Sequence, residues 1–191
     1  GDDFDLAGFA VGIVERDKKL PKDIKPGDKI FGILSSGPHS NGYSLIRKIL
    51  DNINLQNDLE IKKKLLTPTK IYTNLAQNKE VLKIAKGFAH ITGGGIIDNL
   101  PRILPSGMIA KIQLDSWEMP SILKWIIKEA KLEDVDALKT FNCGIGFIII
   151  IDKENQKNFL EICEDINEEA YLMGEVIKGT DLLFEGNLLI D

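Results

Sequence analysis

The chain has 191 residues, of which 43% are hydrophobic and 28% charged, enough for a real core in one substantial soluble-type domain. Its net charge of −5 with no basic tract argues against a nucleic-acid partner, and no apolar run approaches the roughly 20 residues of a membrane span. Two cysteines, Cys143 and Cys163, give no disulfide framework, which fits a reducing cytoplasm.

The chain opens abruptly on a strand pattern, Phe4 to Val14; a single strand is not stable alone, so it either pairs inside this domain or is cut from something longer. The Pro21 to Asp28 segment is a turn, and Lys29-Ile30-Phe31-Gly32-Ile33-Leu34 reads as a buried strand. Ser35 to Ser44 forms a small, polar, glycine-bearing turn, and the apolar spacing of Leu45, Ile46, Ile49 and Leu50 predicts a helix after it. A short charged helix is expected over Leu59 to Leu66. Another is expected to start at Thr67-Pro68-Thr69, with a break near Gln77-Asn78.

Phe88 to Ile91 reads as a strand, Thr92-Gly93-Gly94-Gly95 as a second glycine turn, and Ile96 to Leu104 as a helix. Met108 to Leu114 is a strand and Pro120 to Ala130 an amphipathic helix. Val135 to Lys139 is a helical turn, and Asn142 to Ile151 a fully buried strand. Asp152 is expected to cap a helix running through Cys163. Ala170 to Lys178 and Leu182 to Ile190 are the last strands, the second interrupted at Glu185-Gly186-Asn187. Alternating strands and helices give an α/β (α+β) class, a mixed sheet with packed helices.

Three loops are richer in Gly, Ser, Thr and Asn than a turn requires: Ser35 to Ser44, Thr92 to Asn99 and Thr140 to Gly146. Each abuts a strand, and the first two lead into helices, where free backbone N–H groups favour anions. None matches a P-loop or a dinucleotide fingerprint. Spacing alone therefore supports a phosphate-binding α/β domain, with the three loops converging on one cleft.

The individual residues each have a plainer reading. His39 is either an acid–base group or a hydrogen-bonded structural histidine. His90 and Cys143 read as structural, the latter as a small core residue. Asn41 serves as a helix N-cap, a ligand contact or both. Arg102 either meets a substrate phosphate or faces solvent. Asp98 and the Lys62-Lys63-Lys64 run read as solvated, and Trp117 and Trp125 as packing residues. No Cys/His spacing points to zinc.

The spelling of these segments carries a resemblance. Ser36-Gly37-Pro38-His39-Ser40-Asn41-Gly42-Tyr43-Ser44-Leu45-Ile46-Arg47 closely resembles a signature of the phosphoribosylformylglycinamidine cyclo-ligase (AIR synthetase) family. His90-Ile91-Thr92-Gly93-Gly94-Gly95 with Asn99-Leu100-Pro101-Arg102 resembles a second, and Thr140 to Gly146 a third. Asp5 to Phe9 and Leu66 to Tyr72 also fit, so the likeness runs in order along the chain.

The resemblance implies that residues 1–19 are the last strand of an N-terminal ATP-binding domain this sequence lacks, and 20–191 the C-terminal domain. It implies ATP-dependent closure of formylglycinamidine ribonucleotide to aminoimidazole ribonucleotide in purine synthesis. ATP and Mg2+ would be held mainly by the other domain, with no metal here, and the intact enzyme would be a cytoplasmic homodimer. Substrate contacts would fall on Ser36, Gly37, His39, Ser40, Asn41, Gly42, Thr92, Gly93, Gly94, Gly95, Asn99 and Asn142, with His39 the catalytic candidate. This chain alone would be inactive. A related enzyme such as selenophosphate synthetase or thiamine-phosphate kinase, or a non-catalytic binding module, remain the alternatives.

Overall fold

A computed structural model describes residues 7–190. Six strands form one sheet in the order β2-β4-β1-β5-β3-β6. They are β1 (Lys29–Leu34), β2 (Ala85–His90), β3 (Met108–Gln113), β4 (Ile145–Ile151), β5 (Ala170–Lys178) and β6 (Leu183–Glu185). All neighbours are antiparallel except β3 and β6, so the sheet is mixed, as expected. The helices are α1 (Tyr43–Asn52), α2 (Leu59–Leu65), α3 (Thr73–Ala76), α4 (Lys79–Ile84), α5 (Gly95–Asn99), α6 (Ser121–Ala130), α7 (Asp134–Thr140) and α8 (Gln156–Asp165).

β4 explains the run Ile145-Gly146-Phe147-Ile148-Ile149-Ile150-Ile151. It lies between β1 and β2 and is buried along its whole length. Ile148 and Ile150 point to one face and join Ile46, Ile49, Ile96, Leu123, Ile126 and Leu138. Phe147, Ile149 and Ile151 point to the other and join Phe31, Ile33, Tyr72, Leu75, Val81 and Phe159. Two covered faces require apolar residues at both parities. The second layer of helices stops at β1. Beyond it the same face of β5, β3 and β6 meets water and carries a groove of about 280 Å3 bordered by Lys29, Lys111, Glu175 and Glu185. There Lys29 pairs with Glu175 at 2.7 Å and Lys111 with Glu185 at 3.0 Å.

Several boundaries differ from the sequence reading. Residues 4–6 of the expected first strand lie outside the described residues, and 7–14 form no strand. Phe9, Val11 and Ile13 are exposed there, and among the described residues no strand pairs with this segment. Thr67 to Tyr72 is neither helix nor strand; α3 begins at Thr73. The break near Gln77-Asn78 is real, and the Asn78 side chain caps α4 by accepting from Glu80 N and Val81 N. α5 tightens into a 3-10 turn over Leu100–Ile103, where Pro101 removes a donor. β4 starts at Ile145, since Asn142, Cys143 and Gly144 belong to the loop before it. β6 is only Leu183–Glu185.

Asp152 is also different. It makes no capping bond, and a 3-10 turn, Lys153–Asn155, separates it from α8. Its carboxylate instead accepts from Lys86 at 2.9 Å, and Lys86 in turn donates to both oxygens of Asp28 at 2.9 Å. Lys86 and Asp28 are buried, so an ammonium there needs these carboxylates.

Candidate functional site

Strand direction places the three polar loops together. β4 runs antiparallel to β1 and β2, so the C-terminal ends of β1 and β2 lie beside the N-terminal end of β4. Leu34 leads into Ser35–Gly42, His90 into Ile91–Gly94, and Phe141–Gly144 leads into Ile145. The expected convergence therefore holds, at one end of the sheet.

The loops are interlocked by buried side chains. Asn142 is 1% exposed, and its Nδ2 donates to Gly37 O at 2.8 Å. Its Oδ1 accepts from Gly144 N at 2.9 Å and Ser35 Oγ at 3.2 Å. Asn99 does the same for the glycine loop. Its Nδ2 donates to Gly95 O at 2.8 Å and Gly93 O at 3.1 Å, while Oδ1 accepts from Thr92 Oγ1 at 3.2 Å. Arg102 donates to that same Oδ1 at 3.3 Å. Asn99 and Asn142 are thus spent on loop shape, and Arg102 supports Asn99.

Both helices that follow the loops begin on a left-handed glycine without a side-chain cap: Gly42 before α1 and Gly94 before α5. The first-turn N–H groups have no acceptor within their own helix and carry partial positive charge. Asn41 does not cap α1; its Oδ1 instead lies toward Gly93 of the neighbouring loop. At Gly42 a side chain would enter the Phe141 ring, at 2.1 Å from the ideal Cβ position, so the backbone of one loop sits directly on the aromatic ring of another. Ser40, Thr92 and Gly93 are exposed, and Asn41, Gly42 and Gly94 are half-buried. These are the groups the site presents outward.

His39 is 6% exposed and left-handed, with φ 58°. Its Nε2 accepts from Ser36 N at 3.3 Å and Lys70 N at 3.5 Å, which puts the ring proton on Nδ1. Nδ1 is, among the described residues, the one buried side-chain polar atom without a protein partner. Burial, helped by the charges of His90 and Lys70, lowers the His39 pKa to about 4. The ring is neutral near pH 7, and its lone pair is engaged with the backbone. That geometry holds a loop; it offers no free base.

A segment the sequence reading treated as helical is part of this site. Leu66–Tyr72 crosses the sheet end from Leu65, in one core, to Tyr72, in the other. Ser36 Oγ donates to Pro68 O at 2.7 Å, and Tyr72 OH donates to Leu34 O at 3.2 Å. Ser40 Oγ lies 3.4 Å from Thr69 Oγ1, and Tyr43 OH donates to Leu65 O. Lys70 pairs with Glu168 at 2.6 Å and lies 5.6 Å from the centre of the Tyr72 ring. The Tyr72 ring stacks on Phe147 at 5.2 Å and meets His90 edge-on at 5.9 Å. His90 is exposed. Its ring packs against Tyr72 and Phe147 at the end of β2, which fits the structural role expected of it.

The cysteines are packing residues. Both are buried, and burial pushes the Cys163 thiol up to about 12 and Cys143 higher still. Trp117 Nε1 donates to Cys143 O at 2.8 Å, which fixes that ring in the core. Among the described residues no group of three or more His, Cys, Asp or Glu is placed to hold a metal ion, and no helix is long and apolar enough to cross a membrane.

Curated relatives similar to this chain in sequence are named phosphoribosylformylglycinamidine cyclo-ligase. One from a Thermoanaerobacter species is 44% identical over 185 residues, covering 92% of this chain and 55% of the relative. One from Chromobacterium violaceum is 40% identical over 182 residues, covering 91% of this chain and 52% of the relative. The chain thus spans about half the length of these relatives. Among solved structures, thiamine-monophosphate kinase from Stenotrophomonas maltophilia matches with a TM-score of 0.63 at 17% identity, covering 91% of this chain and 55% of that one. E. coli HypE, a hydrogenase maturation protein, matches with a TM-score of 0.58 at 19% identity, covering 85% and 48%. T. maritima PurL complexed with AMPPCP matches at 0.50 and 16%, covering 92% and 26%. At such identities the structural matches establish the fold. A family model described as "AIR synthase related protein, C-terminal domain" matches residues 25–185, and the chain belongs to that family.

Proposed function

We propose that this chain is the C-terminal domain of an ATP-dependent cyclo-ligase that closes formylglycinamidine ribonucleotide to aminoimidazole ribonucleotide. The observation that carries the reading is the convergence of the three loops whose spelling resembles that family, at one sheet end, with the first turns of α1 and α5 opening on it. Identity of 40–44% to relatives of that name over more than nine-tenths of the chain supports the same activity.

In this reading the loops bind the ribose phosphate of the substrate. Ser36, Gly37, Ser40, Asn41, Gly42, Thr92, Gly93 and Gly94 supply hydroxyls, the Asn41 amide and N–H donors. Asn99, Asn142, Gly95 and His39 hold those groups in place. Fixed N–H dipoles stabilise a phosphate dianion without net positive charge on the domain. Holding the ribonucleotide in one pose sets its amide where a phosphoryl group can reach it.

ATP, with Mg2+, supplies that phosphoryl group. Both are assigned to an N-terminal domain of the whole protein, to which residues 1–19 belong in this reading. The AMPPCP held by the structural neighbour supports a nucleotide triphosphate as the donor. The working enzyme is then a cytoplasmic homodimer, and the 191-residue chain binds without turnover.

Titrating the chain with ribose 5-phosphate while following backbone amide shifts tests the assignment. Shifts are expected at Ser36–Ser44 and Thr92–Ile96. Shifts confined to other surfaces overturn it.

A further inference from the structure

We infer that Lys70 and Glu168 are positioning residues that set the phosphate affinity of the Ser35–Gly42 loop through His39, an inference that rests on the binding role proposed for that loop. The loop leaves β1 at Leu34 and enters α1 at Tyr43, so only its ends belong to regular structure. Between them its shape is imposed from two sides. Asn142 holds Gly37 from the β4 side. The Leu66–Tyr72 strap holds the rest.

The strap has no ladder of its own and is neither helix nor strand. Its course across the sheet end is fixed where Lys70 Nζ meets Glu168 Oε2 at 2.6 Å. Glu168 stands in the turn between α8 and β5, and its side chain is 10% exposed. From the same residue, the Lys70 backbone N–H reaches His39 Nε2. His39 is thereby tied to the strap and, through Ser36 N, to its own loop. The line Glu168–Lys70–His39–Ser36 runs from a helix–strand turn on one side of the sheet end to the loop, and no member of it but Ser36 needs to touch a ligand.

Lys70 carries a charge, so a loss of anion binding in a Lys70 variant would also follow from direct contact. Glu168→Gln separates the two roles, because it leaves the ammonium in place. A directly contacting Lys70 binds phosphate more tightly once its carboxylate partner is neutralised. A positioning Lys70 binds more weakly, because the strap has lost its anchor. The opposite signs make the carboxamide variant the decisive one.

The experiment uses the whole 191-residue chain, with Lys70→Met, Lys70→Arg and Glu168→Gln, and inorganic phosphate and ribose 5-phosphate as probes. Two readouts are taken: the side-chain nitrogen shifts of His39 without ligand, and the Kd for each probe. Wild type and Lys70→Arg are expected to show one His39 tautomer, protonated on Nδ1, and similar affinities. Lys70→Met and Glu168→Gln are expected to show mixed tautomers and Kd values at least tenfold weaker. Unchanged His39 shifts in both variants, unchanged affinity, or tighter binding by Glu168→Gln overturns the inference. If wild type binds neither probe at the loop while the His39 shifts still respond, the ligand reading falls and the Glu168–Lys70–His39 coupling stands. If Lys70→Met does not fold, Glu168→Gln alone decides.

Discussion

The Asn142 side-chain amide donates to the Gly37 carbonyl at 2.8 Å, joining two loops 105 residues apart in sequence. With Ser35 and Gly144 on its other oxygen, this one buried side chain closes the seam between the ends of β1 and β4. Asn142→Ala leaves a carbonyl, a hydroxyl and an N–H without their partner in a buried site. We expect a loss of about 2–4 kcal/mol in urea unfolding. Asn142→Asp keeps the acceptor and is expected to lose less. Equal losses in both would show that the Gly37 bond carries the seam alone.

Gly95 stands where no side chain fits. Its φ is 59°, and a Cβ would lie 1.9 Å from Leu138 O and 2.8 Å from Phe141 O. Both obstacles are backbone atoms at the end of α7, which do not yield as a flexible side chain would. Gly95→Ala is expected to cost more than the roughly 1 kcal/mol of a simple left-handed residue, about 3 kcal/mol or more. Gly107→Ala, also left-handed but with open space around it, is the control. Similar melting temperatures for the two variants would refute the close approach.

His39 makes stability depend on pH in a definite direction. Burial, with His90 and Lys70 nearby, lowers its pKa from 6.5 to about 4. Below pH 6.5 the unfolded chain therefore takes up a proton that the folded chain refuses. Stability from this group is full above that value, falls as pH drops towards about 4, and levels off below it. The fall is on the order of 3 kcal/mol. Unfolding free energies of wild type and His39→Gln across this window are expected to differ in slope, the variant being flatter. Parallel curves would contradict the assignment.

The Lys86 cluster acts in the opposite sense at high pH. Burial disfavours its ammonium, but hydrogen bonds to Asp28 and Asp152 outweigh this and raise its pKa above 10.5. That contribution is fully present below 10.5 and is lost as pH rises through the folded value. Asp152, hydrogen-bonded by Lys86 first and Lys25 next, is held below 3.8, so its share is lost only as strong acid protonates it. Asp28→Ala leaves the buried ammonium with Asp152 as its one carboxylate partner and is expected to cost about 3 kcal/mol. Lys86→Met with Asp28→Leu is expected to recover most of that loss. Failure of the double variant to recover would mean the cluster does more than satisfy its own charges.

The sheet and its main helices were legible because burial leaves a period. Ile145–Ile151 reads as a strand covered on both faces, and Ile46, Ile49 and Leu50 mark one side of α1. The convergence of the loops was legible from their shared polar composition at strand ends, and the antiparallel β4 between β1 and β2 gives its physical reason. The strap was not. Thr67-Pro68-Thr69 has the composition of a helix start, and the strap's hydrogen bonds to Ser36, His39 and Leu34 explain why it takes no regular structure. Asp152 failed for a similar reason. A carboxylate before a helical pattern looks like a cap until a buried lysine from β2 claims it. The division of Asn and Ser between ligand-facing and loop-holding roles was also hidden, because both need the same polar chemistry and differ only in exposure.

The Lys86–Asp28–Asp152 cluster sits where β1 and β2 begin and β4 ends, at the pole of the sheet opposite the glycine loops. Charge ties the strands at this pole and the neutral Asn142 amide ties them at the other. The register of β1 against β4 is therefore pinned at both ends, and only the ionic pin responds to extremes of pH.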